Sequence, residues 1–249
     1  MMNIVAVLGM HRSGTSSLAG ILKHSGVNFY NSNEFNRFNK RGNQEANIIV
    51  EANDNILSSA GFTWLTAEDS KNFSISDDDV NKYTIYLKEA AKAKKDMCIG
   101  FKDPRFTILC EHVIARLKGQ FNISYVGTYR HPIQVAKSIT RRQKIIKYEE
   151  GYKSWYNYNS KLLRVLKKNK SPLIYFSNIY SIYKIEVSLL INYVESQINH
   201  KLNINNGLKF FHTNLQNESS ISNDKIPSEC LSLLNELHEY RYKWLEQML

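Results

Sequence analysis

The chain carries only three cysteines, four prolines and eleven glycines in 249 residues. Cys98, Cys110 and Cys230 are odd in number and lack metal-ligand spacing, which argues against a disulfide framework or a zinc site. They read as small buried hydrophobes in a reducing compartment, so a cytoplasmic location is expected. No apolar run approaches the ~20 residues that span a bilayer. With a mean hydropathy of −0.41 the chain is expected to be soluble, without a transmembrane segment; peripheral membrane contact stays open. The apolar run at residues 4–8 is too short for a signal-peptide core and has no basic leader or cleavage site. Neither an RNP-like aromatic strand nor a zinc-finger pattern occurs, so no nucleic-acid partner is expected. No internal repeat or composition break divides the chain, and residues 1–249 are expected to form a single domain.

Basic residues are plentiful: 33 Lys and Arg against 23 Asp and Glu give a formal net charge of +10. Such a balance favours anionic ligands, here a phosphorylated cofactor or an acidic glycan. The 43% hydrophobic content is enough for one large core or two small ones.

The informative stretch is Ile4-Val5-Ala6-Val7-Leu8-Gly9-Met10-His11-Arg12-Ser13-Gly14-Thr15-Ser16-Ser17-Leu18. The β-branched run predicts a buried strand. Leu18, Ile21 and Leu22 fall at helical spacing, and Gly26 sits where that helix would end. Strand, glycine loop and helix form a phosphate cradle, because loop N–H groups and the positive helix end converge on one anion. The spacing from Gly9 to Ser16 nearly fits the nucleotide loop G-x-x-x-x-G-K-[ST]. Thr15 stands where that motif has lysine, and the cation lies inside the loop as Arg12. With hydroxyls at Ser13, Thr15, Ser16 and Ser17, the loop suits a phosphate held by a guanidinium fork without a metal.

Four further apolar runs read as strands: 27–30, 97–101, 123–129 and 173–176. Between the first two lie a polar stretch, 31–42, with Arg37, Lys40 and Arg41, and a helix for which Asn43 is a candidate N-cap. Glu45 would fall in the first turn of that helix, where a carboxylate also simply complements the dipole. Residues 76–95 predict a second helix, acidic at its start (Asp77, Asp78, Asp79) and basic at its end (Lys92, Lys94, Lys95), with Val80, Tyr83, Leu87 and Ala91 inward. Lys102-Asp103-Pro104-Arg105 ends the strand at 97–101, where open α/β sheets bind ligands; a salt-bridged turn is the alternative. A helix follows with Gly119 as its candidate C-cap. Arg130 leaves the tip of the strand at 123–129, Pro132 opens the next helix, and Ser138 lies two turns into it. Arg141, Arg142, Lys144 and Lys147 continue as a basic run, which alone reads as a solvated face. Helices are expected at 152–168, 183–198 and the C-terminus, with a loop at 201–225. The alternation argues for a three-layer α/β/α fold around a parallel five-stranded sheet, P-loop NTPase-like.

Read together, these motifs resemble the sulfotransferases that use 3'-phosphoadenosine 5'-phosphosulfate. Gly9 to Ser16 resembles the family's 5'-phosphosulfate loop, and Tyr129-Arg130-His131-Pro132 with Ser138 its 3'-phosphate motif. Lys102-Asp103-Pro104-Arg105, and Gly42-Asn43-Gln44-Glu45 followed by Asn53-Asp54-Asn55-Ile56-Leu57, are similar to stretches of bacterial carbohydrate sulfotransferases. The tyrosylprotein enzymes share the loop arginine and a segment like the first of these. The glycine-rich C-terminal cofactor loop of the cytosolic enzymes is missing; 201–225 is the candidate to cover the adenosine.

The resemblance implies a metal-free transfer of a sulfuryl group to an acceptor hydroxyl, with adenosine 3',5'-bisphosphate as product. His11, Arg12, Ser13, Gly14, Thr15, Ser16, Ser17, Arg130 and Ser138 would bind the donor. Arg12 would also stabilise the leaving phosphate, and Glu45 would be the general base, with His11 and Asp103 behind it. Lys102, Asp103 and Arg105 would meet the acceptor, by family analogy a bacterial surface saccharide. Two rivals remain: a P-loop kinase or NTPase with a degenerate loop, and a non-catalytic binder of anionic glycan or nucleic acid.

Overall fold

The computed structural model describes residues 2–33, 42–71, 73–93, 98–117, 121–143, 146–177, 179–211 and 226–249. Expectations for Arg37, Lys40, Arg41, Lys94, Lys95, Met97, Gly119, Lys144 and residues 212–225 lie outside them. The order is β1 (Met2–Leu8), α1 (Thr15–Ser25), α2 (Asn47–Ser59), α3 (Asp77–Ala93), β2 (Ile99–Lys102), α4 (Phe106–Arg116), β3 (Phe121–Tyr129), α5 (Pro132–Arg142), α6 (Tyr148–Asn169), β4 (Leu173–Tyr175), α7 (Tyr180–Ile198), α8 (Ile204–Phe210) and α9 (Ser228–Met248).

The strands form one sheet in the order β2-β1-β3-β4, with all three pairings parallel. Side chains alternate across a strand, and β1 shows the consequence: Ile4, Ala6 and Leu8 enter one core, Val5 and Val7 the other. The first core is closed mainly by α2 to α6 and the second by α1, α7 and α8, while α9 contributes to both. The result is helix, sheet and helix in three layers.

The expected fifth strand is not there. At 27–30 the chain makes one parallel bridge, Asn28 to Ile99, beside the β2 edge. Asn28 N–H donates to Cys98 O at 2.8 Å and Gly100 N–H donates to Asn28 O at 3.0 Å. Phe29 N–H then bonds back to Val27 O at 3.2 Å, a three-residue turn that takes the chain off the edge.

Two helix expectations also change. The helix after Gly42 starts at Asn47 with Ala46 as N-cap, so Asn43 does not cap it and Glu45 precedes it. Asn33 N–H donates to Glu45 O, Gln44 N–H donates to Asn33 O, and Ser32 bridges Ala46; this antiparallel pairing takes up the backbone of 44–46 and delays the helix. Within 201–225, expected as a loop, 204–210 form α8, because the Asn203 side chain accepts from Asn206 N–H and caps the turn. On α3, Tyr86 and Ala90 join Tyr83 and Leu87 inside, whereas Val80 and Ala91 are half-buried. No helix among the described residues is long and apolar enough to cross a membrane.

Candidate active site

β1 and β3 end side by side, and the loop from Gly9 to Gly14 lies over their tips. Gly9 has φ +146°, and a Cβ there would stand 2.4 Å from Thr128 O, so only glycine lets the loop leave the strand this way. The Thr107 hydroxyl accepts from Gly9 N–H at 2.8 Å and donates to Gly9 O at 3.2 Å. Thr128 donates to Ser13 O at 3.0 Å, tying the far side of the loop to β3. Gly14, at φ +87°, lies against the Phe176 ring and precedes α1 without a side-chain cap. The first-turn N–H groups of α1 therefore have no side chain from the cap position to accept them, the arrangement that receives an anion.

Two guanidinium groups serve this end of the sheet. Arg12 sits at φ 67° in the loop, and its Nε donates to Ser138 Oγ on α5 at 2.8 Å. Burial, then Arg142, Arg130 and Arg141, lower its pKa to about 10. Arg130 leaves the tip of β3 and is 6% exposed. Its Nε donates to Gln134 Oε1 at 3.1 Å, its Cζ lies 5.4 Å from the Phe176 ring centroid, and its Nη2 is buried without a hydrogen-bond partner among the described residues. Burial also holds Arg130 below the usual arginine range; Tyr175 opposes this and Arg141 adds to it. Ser13 Oγ and His11 Nε2 are likewise buried without hydrogen-bond partners among the described residues.

A cleft opens in front of the loop. His11, Arg12, Thr15 and Ser16 form one side; Asn43 and Glu45 come from the segment before α2, and Lys102, Pro104 and Arg105 from the end of β2. Lys102 is 2% exposed and its Nζ donates to Glu45 Oε1 at 2.5 Å, Asn43 O at 2.9 Å and Ser16 Oγ at 3.2 Å. It joins the anion loop to Glu45. Arg105 donates through Nη1 to both Asp103 oxygens, at 2.9 and 3.0 Å, and its Nε lies 2.6 Å from Asp54 Oδ1. Asp103 is fully buried and does not line the cleft. The salt-bridged turn is thus present at 103–105, while Lys102 takes its partner from elsewhere.

His11 packs on Trp64 with ring centroids 4.7 Å apart and meets the edge of Tyr158 at 6.0 Å. Burial, then Arg105, Lys102, Arg142 and Arg12, hold its pKa well below the ordinary histidine value, so the imidazole is neutral at neutral pH. Thr107, Phe176 and Trp64 were given no role from the sequence; each acts through a fold contact. Ser17 receives a long hydrogen bond, 3.5 Å, from the Tyr183 hydroxyl.

No family model and no curated protein matches the chain. Solved structures do. The sulfotransferase domain from the Synechococcus PCC 7002 olefin synthase aligns with TM-score 0.54 and 14% identity, over 95% of this chain and 94% of that one. The sulfotransferase domain from the curacin biosynthetic pathway aligns with TM-score 0.55 and 17% identity, over 96% and 98%. At such identities the likeness is one of fold: this chain has the α/β fold of those sulfotransferase domains, across nearly its whole length.

Proposed function

We propose that this chain is a sulfotransferase that moves a sulfuryl group from 3'-phosphoadenosine 5'-phosphosulfate to an acceptor hydroxyl. The observation that carries the reading is the cradle itself: Arg12 lies inside a glycine loop at the start of α1, which has no side-chain cap, and among the described residues the charges that lower its pKa are those of Arg142, Arg130 and Arg141. An anion there relieves the mutual repulsion that burial intensifies. The buried, unpartnered Ser13 Oγ, His11 Nε2 and Arg130 Nη2 fit such a donor.

Bound there, the donor would supply an activated sulfuryl group on a phosphate leaving group. Arg12 and the first-turn N–H groups of α1 would take up charge growing on that phosphate, the task of a preorganised electrostatic site. Ser13 to Ser17 would hold the phosphosulfate and Arg130 the 3'-phosphate. Ser138, already bonded to Arg12, fixes the guanidinium and would contact the donor from that position. Glu45 would take the acceptor proton, and Lys102 sets its carboxylate beside the loop. A neutral His11 keeps its role as the second candidate base. Trp64 lines the cleft beside His11, and an aromatic wall there is compatible with the saccharide acceptor suggested by the sequence resemblance. The solved relatives come from an olefin synthase and the curacin pathway, so hydroxyls on other carbon skeletons belong in the same acceptor screen. Lys102 and Arg105 line the cleft and would meet the acceptor while held in their ion pairs with Glu45 and Asp103, whereas the fully buried Asp103 would act on it only through Arg105.

Thermal shifts test the reading against a kinase. At ~100 times its Kd a ligand of the folded state adds ~2.7 kcal/mol, worth about 2–4 °C per kcal/mol in a chain of this size. Adenosine 3',5'-bisphosphate with chelator is expected to raise Tm more than ADP does; a larger rise with Mg-ATP overturns the proposal. A second expectation concerns Arg130→Ala. Hydrogen bonds to charged groups contribute roughly 1.5–3 kcal/mol, so calorimetric titration should show at least about tenfold weaker binding of the bisphosphate and little change for 5'-AMP. Equal losses for the two ligands would move Arg130 away from the 3' side.

A further inference from the structure

β4 is the outer strand of the sheet and only three residues long, so its outward-facing backbone groups have no neighbouring strand. Tyr175 N–H points to that side and donates to Glu186 Oε2 of α7 at 3.0 Å. Glu186 is in turn gripped by Arg241 of α9, through Nε to Oε2 at 2.8 Å and through Nη2 to Oε1. Both side chains are buried, at 2% and 6% exposure. A two-point ion pair inside the protein is an expensive way to staple two helices, since apolar residues of similar volume often do as well. What an apolar pair could not do is accept a hydrogen bond from the strand end.

The next residue after that anchor is Phe176. Its N–H donates to Tyr129 O at 2.8 Å, so its backbone is fixed from the β3 side as well. Its ring fills the space that a Gly14 side chain would occupy, and the Arg130 guanidinium lies 5.4 Å from its centroid. One ring therefore touches the phosphate loop and the arginine at the tip of β3. The Tyr129 hydroxyl is also hydrogen-bonded to His238 Nδ1 of α9 at 2.7 Å, which places the C-terminal helix behind both strand tips.

We infer that Glu186 and Arg241 are positioning residues for the anion site, acting through the β4 end and Phe176 to hold Arg130 and the Gly14 turn in register. Neither residue lines the cleft, and neither touches the donor in the proposed function, on which the ligand half of this inference rests. It assigns a ligand-positioning task to α9, a helix more than 80 residues beyond Ser138 to which the sequence motifs gave none.

The test is a double-mutant cycle with a ligand-independent readout. Glu186→Met/Arg241→Met removes the charges together and keeps volume, so the full chain should stay folded; Arg241→Lys is the milder variant, keeping charge without the planar fork. In the ligand-free protein the Arg130 Nε–H resonance reports the Phe176 ring current. It is expected to move in these variants toward its position in Phe176→Leu. The Kd for adenosine 3',5'-bisphosphate should rise about tenfold when the pair is replaced in the wild-type background, but at most about twofold in the Phe176→Leu background, because residues acting through one another are not additive. An unmoved Arg130 resonance, or equal losses in the two backgrounds, overturns the inference and leaves a helix staple. If the wild type binds no bisphosphate, the donor reading falls, and the Arg130 resonance alone decides the positioning role.

Discussion

Glu45→Gln is expected to bind adenosine 3',5'-bisphosphate as the wild type does and to turn over ~10²–10⁴ times more slowly. The substitution keeps size and the hydrogen bond from Lys102, and removes the carboxylate that we propose accepts the acceptor proton. Glu45 suits that task by position. It lines the cleft 14% exposed, with one oxygen held by Lys102 at 2.5 Å, and Lys102 also holds Ser16 of the anion loop. The anion loop and the proposed base are thereby set by one ammonium group, the preorganisation on which group transfer depends. A role limited to the helix dipole would cost at most ~1 kcal/mol of stability with near-normal turnover. The start of α2 at Asn47 already removes Glu45 from the first turn. Measuring kcat and Tm on one preparation separates the two, and a stable variant with wild-type kcat would shift the assignment to His11.

Lys102→Met should have the largest effect on stability, a loss of about 3 kcal/mol, the lower end of what breaking a buried ion pair costs when one partner keeps some access to water. It strands Glu45, Asn43 O and Ser16 Oγ together. Glu45→Gln in the same chain should recover much of the lost stability, since no unpaired carboxylate is then left behind, yet should not recover turnover. Urea melts of the two single variants and the double give the coupling directly. Additive losses would mean that the 2.5 Å contact contributes nothing of its own. Acceptor KM is expected to rise as well, because Lys102 lines the cleft. An unchanged KM would limit Lys102 to holding Glu45 and the loop.

The parts of this molecule legible in its sequence are those governed by neighbours along the chain. The β-branched run before Gly9 makes a strand buried on two faces, and positive φ at Gly9, Gly14 and Gly26 shapes the loop and ends α1. Pro132 opens α5, and the acidic start of α3 lies where the dipole favours it. Arg130 had to leave a strand tip, because the pattern of 123–129 runs unbroken into it. The single Asn28 bridge shows the limit: 27–30 has strand composition, but a back-bonded turn at Phe29 decides how much of it pairs.

Tertiary structure alone decided the partnerships. Lys102 and Glu45 are 57 residues apart, Thr107 and Gly9 are 98, and Arg12 and Ser138 are 126. The contact of Phe176 with Gly14 and Arg130, the packing of Trp64 on His11, and the grip of Arg241 on Glu186 have no local trace either. The physical reason is that periodicity and turn chemistry report which face of an element is buried, whereas the residue met at a strand tip depends on strand order. The order β2-β1-β3-β4 brings the tips of β2 and β3 to either side of the loop after β1. That order is settled by how two cores close on both faces of one sheet, a property of all the helices together.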